Sequence, residues 1–305
     1  MKKNIYLVLL LFNLSFSQNI PKVTSGSIER IENFKSKYVS SRNIDVWLPD
    51  NYTDKKKYNV LYMHDGQMLF DAETTWNKQA WEVDETVSKL LLENKIQDVI
   101  VVGIWNGGQT RHLDYFPQKP FESLRIDQQD SIYKANRSNG QSVFSGKINS
   151  DNYLKFIVKE LKPLIDKKYS VYKDSSHTFI SGSSMGGLIS LYAICEYPKV
   201  FGGAACLSTH WPGIFTVKDN PIPNAFYNYL EKKLPNSKKH KIYFDYGTTT
   251  LDALYETLQP KVDAIMVKKG FTNDNWITKK FDGDDHSEKS WKNRFHFSLE
   301  FLLKL

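Results

Sequence analysis

Short runs of apolar and β-branched residues alternate along the chain with longer stretches in which apolar residues recur every three or four positions. The β-rich runs lie at 43–48 (NIDVWL), 58–63 (YNVLYM), 97–104 (QDVIVVGI), 178–181, 203–207, 241–246 (KIYFDY) and 276–281. Helical spacing occupies 80–92, 153–165 (YLKFIVKELKPLI), 188–197 and 295–303. Strands apolar on both faces and separated by helices predict an α/β fold, a mostly parallel sheet with helices on each side. Short connections between the early strands predict an antiparallel first edge. Two segments break the rhythm. Residues 117–151 are polar, with a weak helical patch at 123–133, and 209–240 carry four prolines and end in a lysine-rich stretch. Both are read as excursions from a single domain spanning 18–305, of the kind that shapes a binding site.

The N-terminus follows another pattern. Lys2 and Lys3 precede an apolar run at 5–14, and Ser15 and Ser17 follow it. This is the layout of a signal peptide cleaved after Ser17, which would export the mature chain to the periplasm or beyond. The run is too short to span a bilayer, and no later stretch is long enough, so no membrane insertion of the mature chain is expected.

Composition adds little beyond a globular class: 41% hydrophobic, 25% charged and 14% aromatic residues. The net charge is +7, from 41 basic and 34 acidic side chains. The basic residues are scattered among acids rather than gathered in a stripe with interleaved aromatics, which argues for a mildly basic, solvated surface and against nucleic acid. Export permits a disulfide. However, Cys195 falls in a helix and Cys206 in the next strand, so two buried thiols are expected.

Chemistry concentrates in ISGSSMGGLISLY at 180–192. Gly182, Ser184 and Gly186 form G-x-S-x-G between a strand and a helix, the context of a nucleophile elbow. The sharp turn strains its central residue and demands tiny flanking residues, presenting Ser184 at the carboxyl edge of the sheet. The competing reading is a glycine-rich helix start that binds an anion. Serine needs an activating base and an orienting acid, which in this architecture follow in that chain order: Ser, acid, His. Of the later histidines, His210 precedes every candidate acid. His240 ends a lysine-rich loop and reads as solvated, and His296 lies in the closing helix. His286, in FDGDDHSEKSW just after the last strand, is the expected base. The acid is Asp245 or Asp252, and Asp252 is preferred because it lies beyond the strand's carboxyl end. The DGDD run matches no familiar metal-ligand spacing and reads as a solvated acidic loop. Oxyanion donors are expected from the Met185 N–H and, after the turn at Gly66, from the Gln67 N–H. Trp105, Tyr115 and Trp211 follow strand ends and are candidate substrate-stacking residues. No cofactor is required.

These residues resemble the esterase D-like branch of the α/β-hydrolases, which includes enterochelin esterases, feruloyl and acetyl-xylan esterase domains, S-formylglutathione hydrolases and mycolyltransferase antigens. The resemblance runs from about Arg42 to the C-terminus. It rests on HDGQ at 64–67, VVGIWN at 101–106, Arg111, Tyr115, ELKPLID at 160–166, SGSSMGGL at 181–188, YFDYGTTTLDALY at 243–255 and HSEKSW at 286–291. It implies an α/β-hydrolase fold, a catalytic set of Ser184, Asp252 and His286, and an oxyanion hole from the Gln67 and Met185 N–H groups. The implied activity is hydrolysis of a small-molecule or carbohydrate ester, including acylated sugars and siderophore esters. Acyl transfer of the mycolyltransferase type and a non-catalytic carbohydrate-binding relative are the alternatives.

Overall fold

A computed structural model describes residues 19–305 apart from Ser138 and Val217, so the segment read as a signal peptide lies outside the described residues. Eight strands form one sheet: β1 (Ser27–Phe34), β2 (Arg42–Leu48), β3 (Asn59–His64), β4 (Val99–Ile104), β5 (Thr178–Ser183), β6 (Gly203–Leu207), β7 (Lys241–Gly247) and β8 (Trp276–Phe281). Their order is β1-β2-β4-β3-β5-β6-β7-β8. The β1–β2 and β2–β4 pairs are antiparallel and the others parallel, so the expected antiparallel edge is present.

Period-two alternation divides the core between the two faces of the sheet. Val60, Tyr62, Ile100, Val102, Ile180, Ile242 and Phe244 face one apolar cluster, while Leu61, Met63, Val99, Val101, Phe179 and Tyr243 face the other. The second face is covered by α1 (Val83–Leu92) and a closing helix at Glu288–Leu302. That closing helix places Trp291, Phe295, Leu299 and Leu302 on one stripe, at the spacing of three and four that buries a single helical face.

The first face carries the remaining helices: α2 (Arg111–Tyr115), α3 (Gln118–Glu122), α4 (Ile126–Tyr133), α5 (Ser150–Phe156), α6 (Lys162–Lys168), α7 (Met185–Glu196), α8 (Ile222–Lys233) and α9 (Gln259–Lys268). The closing helix is α10. A π-helical turn at Ile157–Leu161 joins α5 to α6. Residues Met185 to Cys195 of α7 are all buried, because the helix lies between the sheet and outer helices. Both regions read as excursions hold helices: α3 and α4 in the first, α8 in the second. Cys195 and Cys206 are free and buried.

The parallel strands run the same way, so β3 to β8 end on one edge, where the chain turns at His64, Ile104, Ser183, Leu207, Gly247 and Phe281. Ligands of open α/β sheets bind outside such carboxyl ends.

Candidate active site

β5 ends at Ser183 and α7 begins at Met185, so the reversal is compressed into Ser184. Its φ of 58° and ψ of −120° are strained for any residue with a Cβ. The Ser184 N–H donates to the Leu207 carbonyl at 2.9 Å. Its own carbonyl accepts from the N–H groups of Gly187, Leu188 and His210 at 3.1–3.2 Å. The corner is therefore fixed from strand, helix and neighbouring loop at once. A Cβ on Gly182 would meet the Gly186 backbone at 2.9–3.0 Å, which accounts for the first glycine. A Cβ on Gly186 would meet His64 Cβ at 3.4 Å, an ordinary contact, so the tightness is one-sided.

The loop after β8 brings His286 to the same edge. Its N–H donates to Thr250 Oγ1 at 2.9 Å, and its Nδ1 lies 2.5 Å from Asp252 Oδ1. Asp252 is fully buried. Its Oδ2 accepts from the Gly247 N–H at 2.6 Å and from Ser208 Oγ at 2.6 Å. Burial opposes the charge on Asp252, but the hydrogen bonds from His286, Ser208 and Gly247 prevail and hold its pKa below the ordinary carboxylate value. Asp245, the other candidate acid, points elsewhere. Its Oδ1 lies 3.2 Å from Arg294 Nε, and burial pushes its pKa up to about 6.

Ser184, His286 and Gln67 line one cavity of about 750 Å³ together with His64, Asp65, Asn106, Arg111, His112, Arg137, Trp76, Trp81 and Trp291. Asp65 takes a bidentate pair from Arg111 at 2.7 and 2.8 Å and the Asn106 amide at 2.6 Å. Burial disfavours its charge, and Arg111 outweighs that, holding the Asp65 pKa low. Burial depresses His64 and His112 to about 3, leaving both rings neutral. Among the described residues no group of three or more His, Cys, Asp or Glu side chains is disposed to hold a metal ion.

Several expectations need correction. Gly66 does not supply the left-handed turn before Gln67: Asp65 does, with φ 58°. Gly66 is instead required by close approach, since its Cβ would fall 2.6 Å from the Gly103 backbone of β4. Gln67 is anchored to the next loop, its Oε1 accepting from the Asn106 N–H at 3.1 Å.

The three candidate stacking residues lie away from the cavity. Trp105 turns to the sheet edge, where its Nε1 donates to Asp45 and the Arg30 guanidinium covers its ring at 4.7 Å. Tyr115 is fully buried against His64 and Tyr153, its hydroxyl accepting from the Asp65 N–H. Trp211 is buried and donates to Gln259. The aromatic side chains that do line the cavity are Trp76, 84% exposed, and the buried Trp81 and Trp291.

His240 is not solvated. It is buried, with its ring nitrogens 2.9 and 2.7 Å from the carbonyls of Asn236 and Pro198. The DGDD run is not merely a solvated loop either. Asp284 binds Arg294, and Asp285 accepts from the Ser287 and Ser290 hydroxyls.

The profile of the family described as "Putative esterase" matches residues 36–304. The uncharacterized protein YbbA of Bacillus subtilis (strain 168) is 25% identical over 173 residues, covering 56% of this chain and 58% of that protein. The chain thus spans little more than half the length of that curated relative. Among solved structures, a ferulic acid esterase superposes with a TM-score of 0.65 at 19% identity, covering 92% of this chain and 98% of that one. The enterobactin esterase FES from Shigella flexneri gives a TM-score of 0.65 at 16% identity, covering 92% and 60%. With its α/β-hydrolase sheet and a family match over most of its length, the chain belongs to this esterase family.

Proposed function

We propose that the protein is an exported serine esterase working through an acyl-enzyme on Ser184. One observation carries this reading: a strained, partly buried serine shares a cavity with a histidine whose other side is held by a buried carboxylate. His286 takes the Ser184 hydroxyl proton as Oγ attacks the ester carbonyl, then returns it to the departing alcohol. Asp252 keeps the Nδ1 proton of His286 in place, which leaves Nε2 free to act as base and stabilises the imidazolium once formed. The Met185 N–H, in the first helical turn with no intrahelical acceptor, and the Gln67 N–H would stabilise the oxyanion. Water then releases the acid by the same route reversed.

The cavity is large enough for an acyl group carried on a bulky alcohol. Its tryptophans suit a flat aromatic or sugar ring, so we assign an acylated carbohydrate or an aromatic acyl ester as the substrate class. The name of the ferulic acid esterase supports the aromatic acyl reading, and that of the enterobactin esterase keeps a siderophore ester as the second reading. The 5–14 apolar run behind two lysines supports export. Purified protein should hydrolyse p-nitrophenyl acetate, and Ser184→Ala should lose activity on the order of 10⁴-fold or more. Turnover at the parent rate by that variant would remove the nucleophile and the reading with it.

A further inference from the structure

Behind Asp252 lies a buried cation that the reaction as drawn does not use. Arg294 of α10 is 1% exposed. Its guanidinium reaches four side chains from four segments of the site. Nε lies 3.2 Å from Asp245 Oδ1 on β7, and Nη1 donates to Asp284 Oδ2 at 3.1 Å in the loop that carries His286. Nη2 donates to Ser208 Oγ at 2.6 Å, just after β6, and lies 3.4 Å from Asp252 Oδ2. Ser208 Oγ also accepts from Trp291 Nε1 at 2.9 Å. With two N–H donors occupying its lone pairs, the Ser208 hydroxyl has one use left for its proton, the bond to Asp252 Oδ2. One side chain thereby fills one carboxylate oxygen of Asp252, leaves the other for His286, and ties the histidine loop to the acid.

We propose that Arg294 is a positioning residue that sets the geometry of the Asp252–His286 pair through Ser208 and Asp284. The inference rests on the acyl-enzyme reading. A guanidinium suits this place because its planar fork can serve several acceptors at fixed angles, which an ammonium cannot do. The charged groups facing His286 from its own loop and α10 are Asp284, Asp285 and Glu288. Asp252 meets it from the segment after β7, and Asp65, Arg111 and Arg137 line the same cavity; Asp245 is turned to Arg294. His64, His112 and His210 are held neutral by burial.

The test is steady-state kinetics of the full chain on p-nitrophenyl acetate, with thermal melts alongside. Arg294→Met should lower kcat on the order of 10²-fold with KM little changed, as expected for a misplaced catalytic pair. Arg294→Lys should not restore it. Parent kcat in folded Arg294 variants would overturn the proposal. If those variants do not fold, Asp284→Asn, at a partly exposed position, decides. A kcat loss of about tenfold with parent stability supports the proposal, and parent kcat overturns it. Ser184→Ala in the same assay separates the two levels. Its retention of activity defeats the acyl-enzyme reading, whereas an inactive Ser184→Ala beside fully active Arg294 and Asp284 variants defeats only the positioning role.

Discussion

Adding one methyl group at Gly182 should cost this enzyme more than adding one at Gly186, although both glycines belong to the same motif. In Gly182→Ala the new Cβ would lie 2.9 Å from the Gly186 carbonyl carbon and 3.0 Å from its Cα and oxygen. These are backbone atoms, which cannot rotate away, so the turn itself must open. Overpacking of this kind costs about 1–3 kcal/mol. The displaced atoms belong to the corner that carries Ser184, and a shift of that order in a nucleophile lowers turnover on the order of 10²-fold. In Gly186→Ala the nearest atoms are His64 Cβ at 3.4 Å and Asp65 Oδ2 at 3.6 Å, ordinary contacts. Position 186 is also helical, where alanine is favoured over glycine by up to about 1 kcal/mol. Michaelis–Menten kinetics on p-nitrophenyl acetate with paired thermal melts would measure both variants. The reasoning fails if Gly182→Ala is as active and stable as the parent, or if Gly186→Ala suffers the larger loss.

Asp252→Asn, which removes the charge beside His286, should reduce kcat on the order of 10²–10⁴-fold with KM nearly unchanged, measured by the same kinetics. Asp245 has a folded pKa raised to about 6, so the folded state binds the extra proton and loses stability as pH rises from about 4 to 6. Chemical denaturation across that window should show Asp245→Asn gaining on the parent by up to about 3 kcal/mol as pH rises, and a gap that does not change with pH would refute the assignment. Trp76, 84% exposed at the cavity, should matter for bulky substrates only. Trp76→Ala should raise KM for a feruloylated sugar about tenfold and leave p-nitrophenyl acetate kinetics within about twofold.

The elbow was legible because its constraint is local. A strand, a helix and the Gly182 that lets them meet are all written within a dozen residues. His286 and Asp252, which the structure pairs, were legible from chain order and from their place beyond strand ends. Other elements carried weaker signals. β1 alternates isoleucine with charged residues and is half-exposed along its length, so it lacks the apolar density of a buried strand. The prolines around the start of α8 read as loop, although a proline in the first helical turn costs nothing. Strand-end logic located Trp105 and Trp211 near the right edge but could not give the direction of their rings, which Asp45 and Gln259 decide through long-range hydrogen bonds. Trp76 sits in an irregular loop with no periodicity to mark it. Arg294 did leave a trace: three residues after Trp291 and one before Phe295, it falls on the inner stripe of α10, where an arginine needs buried acids.

The central claim is that Ser184 Oγ becomes covalently attached to the acyl group, and peptide mapping by mass spectrometry after reaction with a fluorophosphonate probe tests it most directly. The account predicts a single stoichiometric adduct on Ser184, absent in Ser184→Ala and strongly slowed in His286→Ala. An active preparation that shows no adduct, or carries it on a different residue, would contradict it.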